Sequence, residues 1–243
     1  MGSRFSSCGV SIAALIVMSA ALRPLERSLT PAGLPADQLA TLAGGGGTLA
    51  VLGGMRSVAA GVFWLKADLA WERRDAVETT ALLYLTVAAD ARPVYFWLNG
   101  ARMLAYDLPE WRLDGTEPAA VRQKMVLECA KQALIFLEQG RCWHGTDAAI
   151  YIEMGNIHLR RTGDLGRAAR CYRRAAEQPD APYIAARIHG ELLRELGRPA
   201  EALAWLRQVA AKLPADDPAA RREVVLERIR ALERQAGDAG RDR

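Results

Sequence analysis

The stretch Ile184 to Pro214 reads residue by residue as two helices folded back on each other. With Gly190 at their closest approach, small or apolar residues fall at Ala186, Gly190, Leu193, Ala202, Leu206 and Val209. The turn sequence Leu196-Gly197-Arg198-Pro199 lies between the helices, and Pro214 closes the unit. Small residues let two helices approach, while large ones fill the groove against the next pair. Such a hairpin has an apolar face that it cannot bury alone. One good copy therefore predicts neighbours.

Tyr151, Met154, Gly155, His158, Gly163-Asp164, Ala168, Tyr172 and Ala175 repeat the pattern, with one extra residue in the turn around Thr162. A third copy keeps the spacing in its second helix, at Ala81, Leu85, Ala88 and Pro93. Its first helix would use Leu65 and Leu69, but Asp68 falls where the pattern is apolar. Between these copies, Tyr95 to Trp143 pairs a helix over Phe96 to Tyr106 with another over Val121 to Glu138. The loop Leu108 to Pro118 is too long for a standard repeat, so this unit reads as degenerate, with an insertion. A last helix, Pro218 to Gln235, presents Val224, Val225, Ile229 and Leu232 on one face and charges on the other, which suits a solenoid cap. The tail from Ala236 is expected to fray.

These spacings resemble the tetratricopeptide repeat, which places Gly, Ala, aromatic and Pro residues at the same intervals. The resemblance implies a right-handed α-solenoid of helix-turn-helix repeats. The sequence adds an N-terminal hydrophobic helix. No period-two run of β-branched residues amounts to a strand, so the fold class is all-α. A chain of 243 residues that is 51% apolar is long enough to bury a substantial core. The expected divisions are a signal peptide or membrane anchor over 1–28 and a Gly-rich linker over 29–55. Degenerate helical repeats follow over 56–147, two tetratricopeptide repeats over 148–217, a capping helix over 218–235 and a tail over 236–243.

Arg4 precedes an apolar run from Val10 to Leu22, which Arg23-Pro24 ends. As a helix this run spans about 20 Å, short of the ~30 Å hydrocarbon core unless Ser6 to Gly9 join it. A signal peptide cleaved after Ala21 would have Ser19 and Ala21 as its small residues. Export with an uncleaved anchor is the preferred reading, and it places the repeats in the periplasm, tethered to a bacterial inner membrane. Cys8 precedes the apolar run, the wrong order for a lipoprotein anchor.

Leu39 to Leu65 is also apolar, but Gly44-Gly45-Gly46-Gly47 weakens any helix there and Arg56 would stand within a span. The Gly quartet lacks the Gly-Lys-Ser/Thr ending of a phosphate loop and reads as linker. Leu52-Gly53-Gly54-Met55-Arg56-Ser57-Val58-Ala59-Ala60, then Phe63-Trp64-Leu65-Lys66-Ala67, resembles the opening segment of a group of membrane-anchored repeat proteins of Verrucomicrobia and their relatives. Asp90-Ala91-Arg92-Pro93-Val94-Tyr95-Phe96-Trp97 fits that group too. The resemblance implies a retained hydrophobic helix and carries no activity.

A net charge of +4 is spread over interleaved acids and bases, so no one-signed stripe of the kind that binds nucleic acid appears. Arg160-Arg161, Arg173-Arg174 and Arg221-Arg222 read as solvated helix faces. Cys142-Trp143-His144 has no zinc-pair spacing, no Cys-x-x-Cys occurs, and no nucleophile-elbow pattern appears. His158 and His189 fall at packing positions, and Cys171 beside Tyr172 reads as a core filler. Glu128, Glu138 and Glu153 read as solvated carboxylates. Pairing of Cys129 with Cys142 stays open, since spacing does not fix Cα distances. The expectation is a protein that is not an enzyme and has no catalytic residues, cofactor or metal.

Two functions fit. One is an interaction scaffold holding a peptide or partner protein on the concave face formed by the first helix of each hairpin. In tetratricopeptide repeats that face uses positions matching Ile152, Asn156, Leu159 and Arg160 in one hairpin, and Arg187, Glu191, Arg194 and Glu195 in the next. Asn156 would bond a ligand backbone, and Arg160 with Arg194 would clamp a carboxylate. The other is a subunit or assembly factor of an envelope secretion, pilus or export complex. Its interface would be the convex side and the Trp-rich segment with Trp64, Trp71 and Trp97.

Overall fold

The computed structural model describes residues 56–113 and 115–241. The apolar run Val10 to Leu22, the Gly-rich linker and Leu52 to Met55 lie outside the described residues. The described helices are α1 (Arg56–Glu72), α2 (Ala76–Ala89), α3 (Val94–Arg102), α4 (Ala119–Arg141), α5 (Ala148–Ile157), α6 (Leu165–Ala176), α7 (Tyr183–Glu195), α8 (Pro199–Lys212) and α9 (Arg222–Arg241). No strand occurs among the described residues, and no helix there is long and apolar enough to cross a membrane. Aspartates begin several helices by accepting from free backbone N–H groups: Asp75 from Val77 and Glu78, Asp147 from Ala149, and Asp164 from Arg167. Gly163 and Gly197, at φ 70° and 71°, take the left-handed conformation that ends α5 and α7.

The chain divides into two compact units, Met1–Phe96 and Trp97–Arg243, with the division inside α3. In the first unit α1 and α2 fold back on each other, and the Ser57 hydroxyl donates to Asp90 at 2.8 Å. Burial alone would raise the Asp90 carboxyl, but hydrogen bonds from Arg92 and Ser57 outweigh it and hold the group below its ordinary value. The register here differs from the sequence expectation. The buried residues of α1 are Ala59, Ala60, Ala67 and Ala70, whereas Leu65 and Leu69 are 64% and 52% exposed. On α2 the buried face is Thr79, Leu82, Leu83, Thr86, Val87 and Ala89; Ala81 points to solvent, and Leu85 and Ala88 are half-buried. The reason is that the small residues of this hairpin are alanines spread along α1, so the helices meet along that row and not around Leu69.

In the second unit each helix packs on the ones before and after it, the one-dimensional stacking of hairpin repeats. The α5–α6 and α7–α8 hairpins follow the sequence register. A Cβ on Gly155 would stand 2.9 Å from the Tyr172 ring, and one on Gly190 would stand 2.6 Å from Leu206 Cδ2. Ala168, Ala175 and Ala202 are fully buried beside them. Two positions depart from that register: at the start of α7 Ala185 is buried more deeply than Ala186, and at the end of α8 Ala210 more deeply than Val209. The α3–α4 hairpin inverts the rule. The first helix has a buried glycine of its own, Gly100, but the tight approach is at Gly140 on the second helix, where a Cβ would stand 2.8 Å from the ring of Trp97. Trp97 is buried, and its ring meets that of Phe136 at a tilt, with centroids 4.8 Å apart. The helices also run past their expected ends, α3 beginning at Val94 and α4 covering Ala119–Arg141.

The last helix begins later than Pro218. Pro218–Ala220 form a 3-10 turn, Arg221 takes φ 46°, and α9 then runs Arg222–Arg241, through most of the stretch expected to fray. Val225, Ile229 and Leu232 are buried against α8, whereas Val224 is exposed. Adjacent residues on a helix point about 100° apart, so with Val225, Ile229 and Leu232 inward Val224 falls outside the apolar face.

Candidate partner-binding face

Two first helices of the second unit contain a π turn. Helix α3 continues through Met103–Asp107 into a short helical turn, Leu108–Trp111, and α5 continues through His158–Thr162. The second of these is the extra residue counted near Thr162. It is absorbed inside the helix, where the Thr162 hydroxyl donates to the His158 carbonyl at 3.0 Å. π turns widen a helix locally and re-aim the side chains that follow.

The re-aimed side chains meet. The Arg161 guanidinium lies over the Tyr106 ring, 5.2 Å from its centroid, with its Nη2 3.8 Å from Glu110 Oε1. Its Nε and Nη2 are buried with no hydrogen-bond partner, so the aromatic face is their main compensation. Arg102 donates from Nε to Glu153 Oε2 at 3.0 Å, with Nη2 at 2.9 Å. Glu153 is therefore no solvated carboxylate: its side chain is 3% exposed and bonded to a cation 51 residues earlier. Burial, with Glu153 adding to it, raises the Tyr106 hydroxyl, and burial pushes Tyr172 up to about 12. Both tyrosines stay neutral in physiological conditions.

The predicted contact residues separate into two groups. Asn156 Oδ1 accepts from the Tyr172 hydroxyl at 2.7 Å. Arg187 donates to the carbonyls of Ala219 and Ala220 at 3.3 and 3.0 Å, tying α7 to the 3-10 turn. Glu191 accepts from Arg194 at 2.7 Å and pairs with Arg228 at 3.1 Å. Ile152 and Leu159 pack on the core shared by α5, α6 and α7. Arg160 and Glu195 are exposed, and neither makes an ion pair or hydrogen bond among the described residues. So Asn156, Arg187, Glu191 and Arg194 have partners within the fold, and Arg160 is the cation of the set left open. Arg102, Tyr106, Glu153 and Arg161 are the residues that sequence reasoning missed. The single usable signal was the extra residue at Thr162.

Elsewhere, His158 and His189 are buried as expected. Cys129, Cys142 and Cys171 are free, with no disulfide between Cys129 and Cys142, and burial pushes the Cys171 thiol up to about 11. Trp97 lies in the hairpin core, whereas Trp64 packs on Tyr95 and Phe96 at 5.3 Å each.

No family model matches this sequence, and neither does any curated protein. Among solved structures the chain is similar to TTC0263, a thermophilic TPR protein of Thermus thermophilus, at 16% identity and a TM-score of 0.45, over 88% of this chain and 98% of that one. It is also similar to the MamA protein, at 16% identity and a TM-score of 0.32, over 63% of this chain and 91% of that one.

Proposed function

We propose that this protein is a non-enzymatic scaffold that holds a carboxylate-bearing peptide or partner protein on the first-helix face of its second unit. One observation carries the reading: Arg160 is exposed and has no counter-ion among the described residues, beside the matched Asn156–Tyr172 and Arg102–Glu153 pairs. An open guanidinium held next to preorganised neighbours suits a carboxylate, which it meets with two parallel hydrogen bonds. Arg194, half-exposed and bonded to Glu191, would add a second donor by exchanging partners. The sequence supports an anchor at Val10 to Leu22, with the repeats on the periplasmic side of an inner membrane. A reporter fused at Ala236 should then be active in the periplasm, and activity confined to the cytoplasm would reverse the topology.

The test of the binding face is co-purification from detergent-solubilised membranes. Arg160→Ala combined with Arg194→Ala should remove the partner while leaving helicity and melting unchanged, since exposed charges contribute less than about 1 kcal/mol to folding.

A specific observation favours the second reading, a subunit of an envelope assembly. Val58, Val62, Leu65 and Leu69 line one side of α1 and all are about half exposed or more. Their spacing is that of one helix face, and exposed apolar patches of this kind mark interfaces. The interface would then be this aliphatic row, not the tryptophans. Under this reading the partner survives the double Arg substitution and is lost from Val62→Asp combined with Leu65→Asp.

A further inference from the structure

A groove of about 550 Å³ opens between the second helices α6 and α8, on residues that the proposed partner face does not use. Its inner wall is apolar, with Ala169, Leu193 and Leu196 beside the ring of Trp205. That ring is fixed in place: the indole N–H donates to the Ala186 carbonyl at 2.8 Å. His189 meets it edge-on at 4.7 Å, with Nδ1 2.8 Å from the Ala169 carbonyl. A carbonyl only accepts, so Nδ1 carries the proton and the imidazole is held too. A wall already ordered loses little entropy when a ligand arrives.

The rim is basic. Arg170, Arg173 and Arg198 line the groove against a single acid, Glu201. Arg198 is bonded to Glu201 and Arg173 to Glu177, in exposed pairs close in sequence. Pairs of this kind contribute little and leave guanidinium N–H groups open. Arg170 is exposed and makes no ion pair or hydrogen bond among the described residues. One unmatched cation beside a rigid aromatic wall is the complement of one carboxylate next to one apolar side chain. A polyanion such as nucleic acid would meet Glu177 and Glu201 as repulsive neighbours.

We propose that the α6–α8 groove is a second binding site, for an acidic peptide segment of another protein in which an Asp or Glu adjoins an aromatic or aliphatic residue. The carboxylate pairs with Arg170, and the apolar side chain lies on Trp205. The volume fits the size of ligand pockets and suits a few side chains, not a whole helix.

The test uses the full chain in detergent, labelled with ¹⁵N, and the blocked peptide Ser-Asp-Phe-Glu-Leu-Ser as probe. The indole N–H signal of Trp205, assigned by its loss in Trp205→Phe, should shift with half-saturation near 1 mM, which corresponds to about 4 kcal/mol of binding. Replacing Asp and Glu in the peptide by Asn and Gln should weaken binding about tenfold. Arg170→Glu should abolish the shift at unchanged melting temperature, whereas Arg160→Ala should leave it intact, which separates this site from the first-helix face. An absent shift, or an equal one in Arg170→Glu, overturns the proposal. A stronger shift with oligothymidylate than with the peptide overturns it in favour of a polyanion site.

Discussion

Gly155 and Gly190 sit mid-helix, where glycine costs nearly 1 kcal/mol relative to alanine, about the helix propensity difference. The contacts explain why they are there. An added methyl at Gly155 meets the edge of a rigid ring, Tyr172, whose hydroxyl is held by Asn156. One at Gly190 meets both Leu206 Cδ2 and Cγ, at 2.6 and 2.9 Å, on a side chain that is itself buried. Gly155→Ala and Gly190→Ala are each expected to destabilise the protein by about 1–3 kcal/mol despite the propensity gain. Gly61, with no heavy atom within 4 Å, is the contrasting case. Gly61→Ala should stabilise by up to about 1 kcal/mol. Thermal unfolding by circular dichroism reads all three signs. The first two glycines were legible in the sequence because each is followed, across a Gly-containing turn, by a small residue on the next helix, Ala168 or Ala202. Gly140 was not, because the pattern seeks its glycine on the first helix, whereas Gly140 lies on the second, against the ring of Trp97. Arg187 shows a second limit: its partner carbonyls lie 32 and 33 residues further on, beyond any local spacing rule.

At the scale of elements, the π turn of α5 both contains a buried histidine and shapes the candidate face. Burial pushes His158, and likewise His189 on α7, below the ordinary imidazole value. The unfolded chain therefore takes up these protons first. Their contribution to stability is complete above the unfolded value, about 6.5, and is lost as pH falls through the lower folded values. The melting temperature should accordingly decline below about pH 6.5. Replacing both histidines by Gln should flatten that part of the profile, in a titration followed by tyrosine and tryptophan fluorescence. Helix positions were largely readable from turn residues, as Gly163-Asp164 and Gly197-Arg198-Pro199 show. The π turns were not. An extra residue has the same one-letter record whether a loop or a helix absorbs it, and the difference decides where Tyr106, Arg160 and Arg161 point. The α1–α2 register differs for a related reason: leucines at repeat spacing predict a core there, while the close packing is made by four alanines.

For the whole molecule, the all-helical stacking of hairpins follows from the sequence because each hairpin leaves an apolar face for the next. Which face recognises a partner does not follow. The same polar residue serves as contact or as structural tie depending on what the next hairpin brings to it, and Asn156, Arg187 and Glu191 are ties here. The two readings of function place the partner on different units, on Arg160 in the second or on Val58, Val62, Leu65 and Leu69 in the first. Site-specific photo-crosslinking in cells distinguishes them most directly. A photoreactive residue at Glu195, exposed at the end of α7, should give a covalent adduct with a partner protein, and Arg160→Ala should remove that adduct. An adduct formed from a probe at Leu65 but not at Glu195, and unaffected by Arg160→Ala, would contradict the first-helix face as the site of binding.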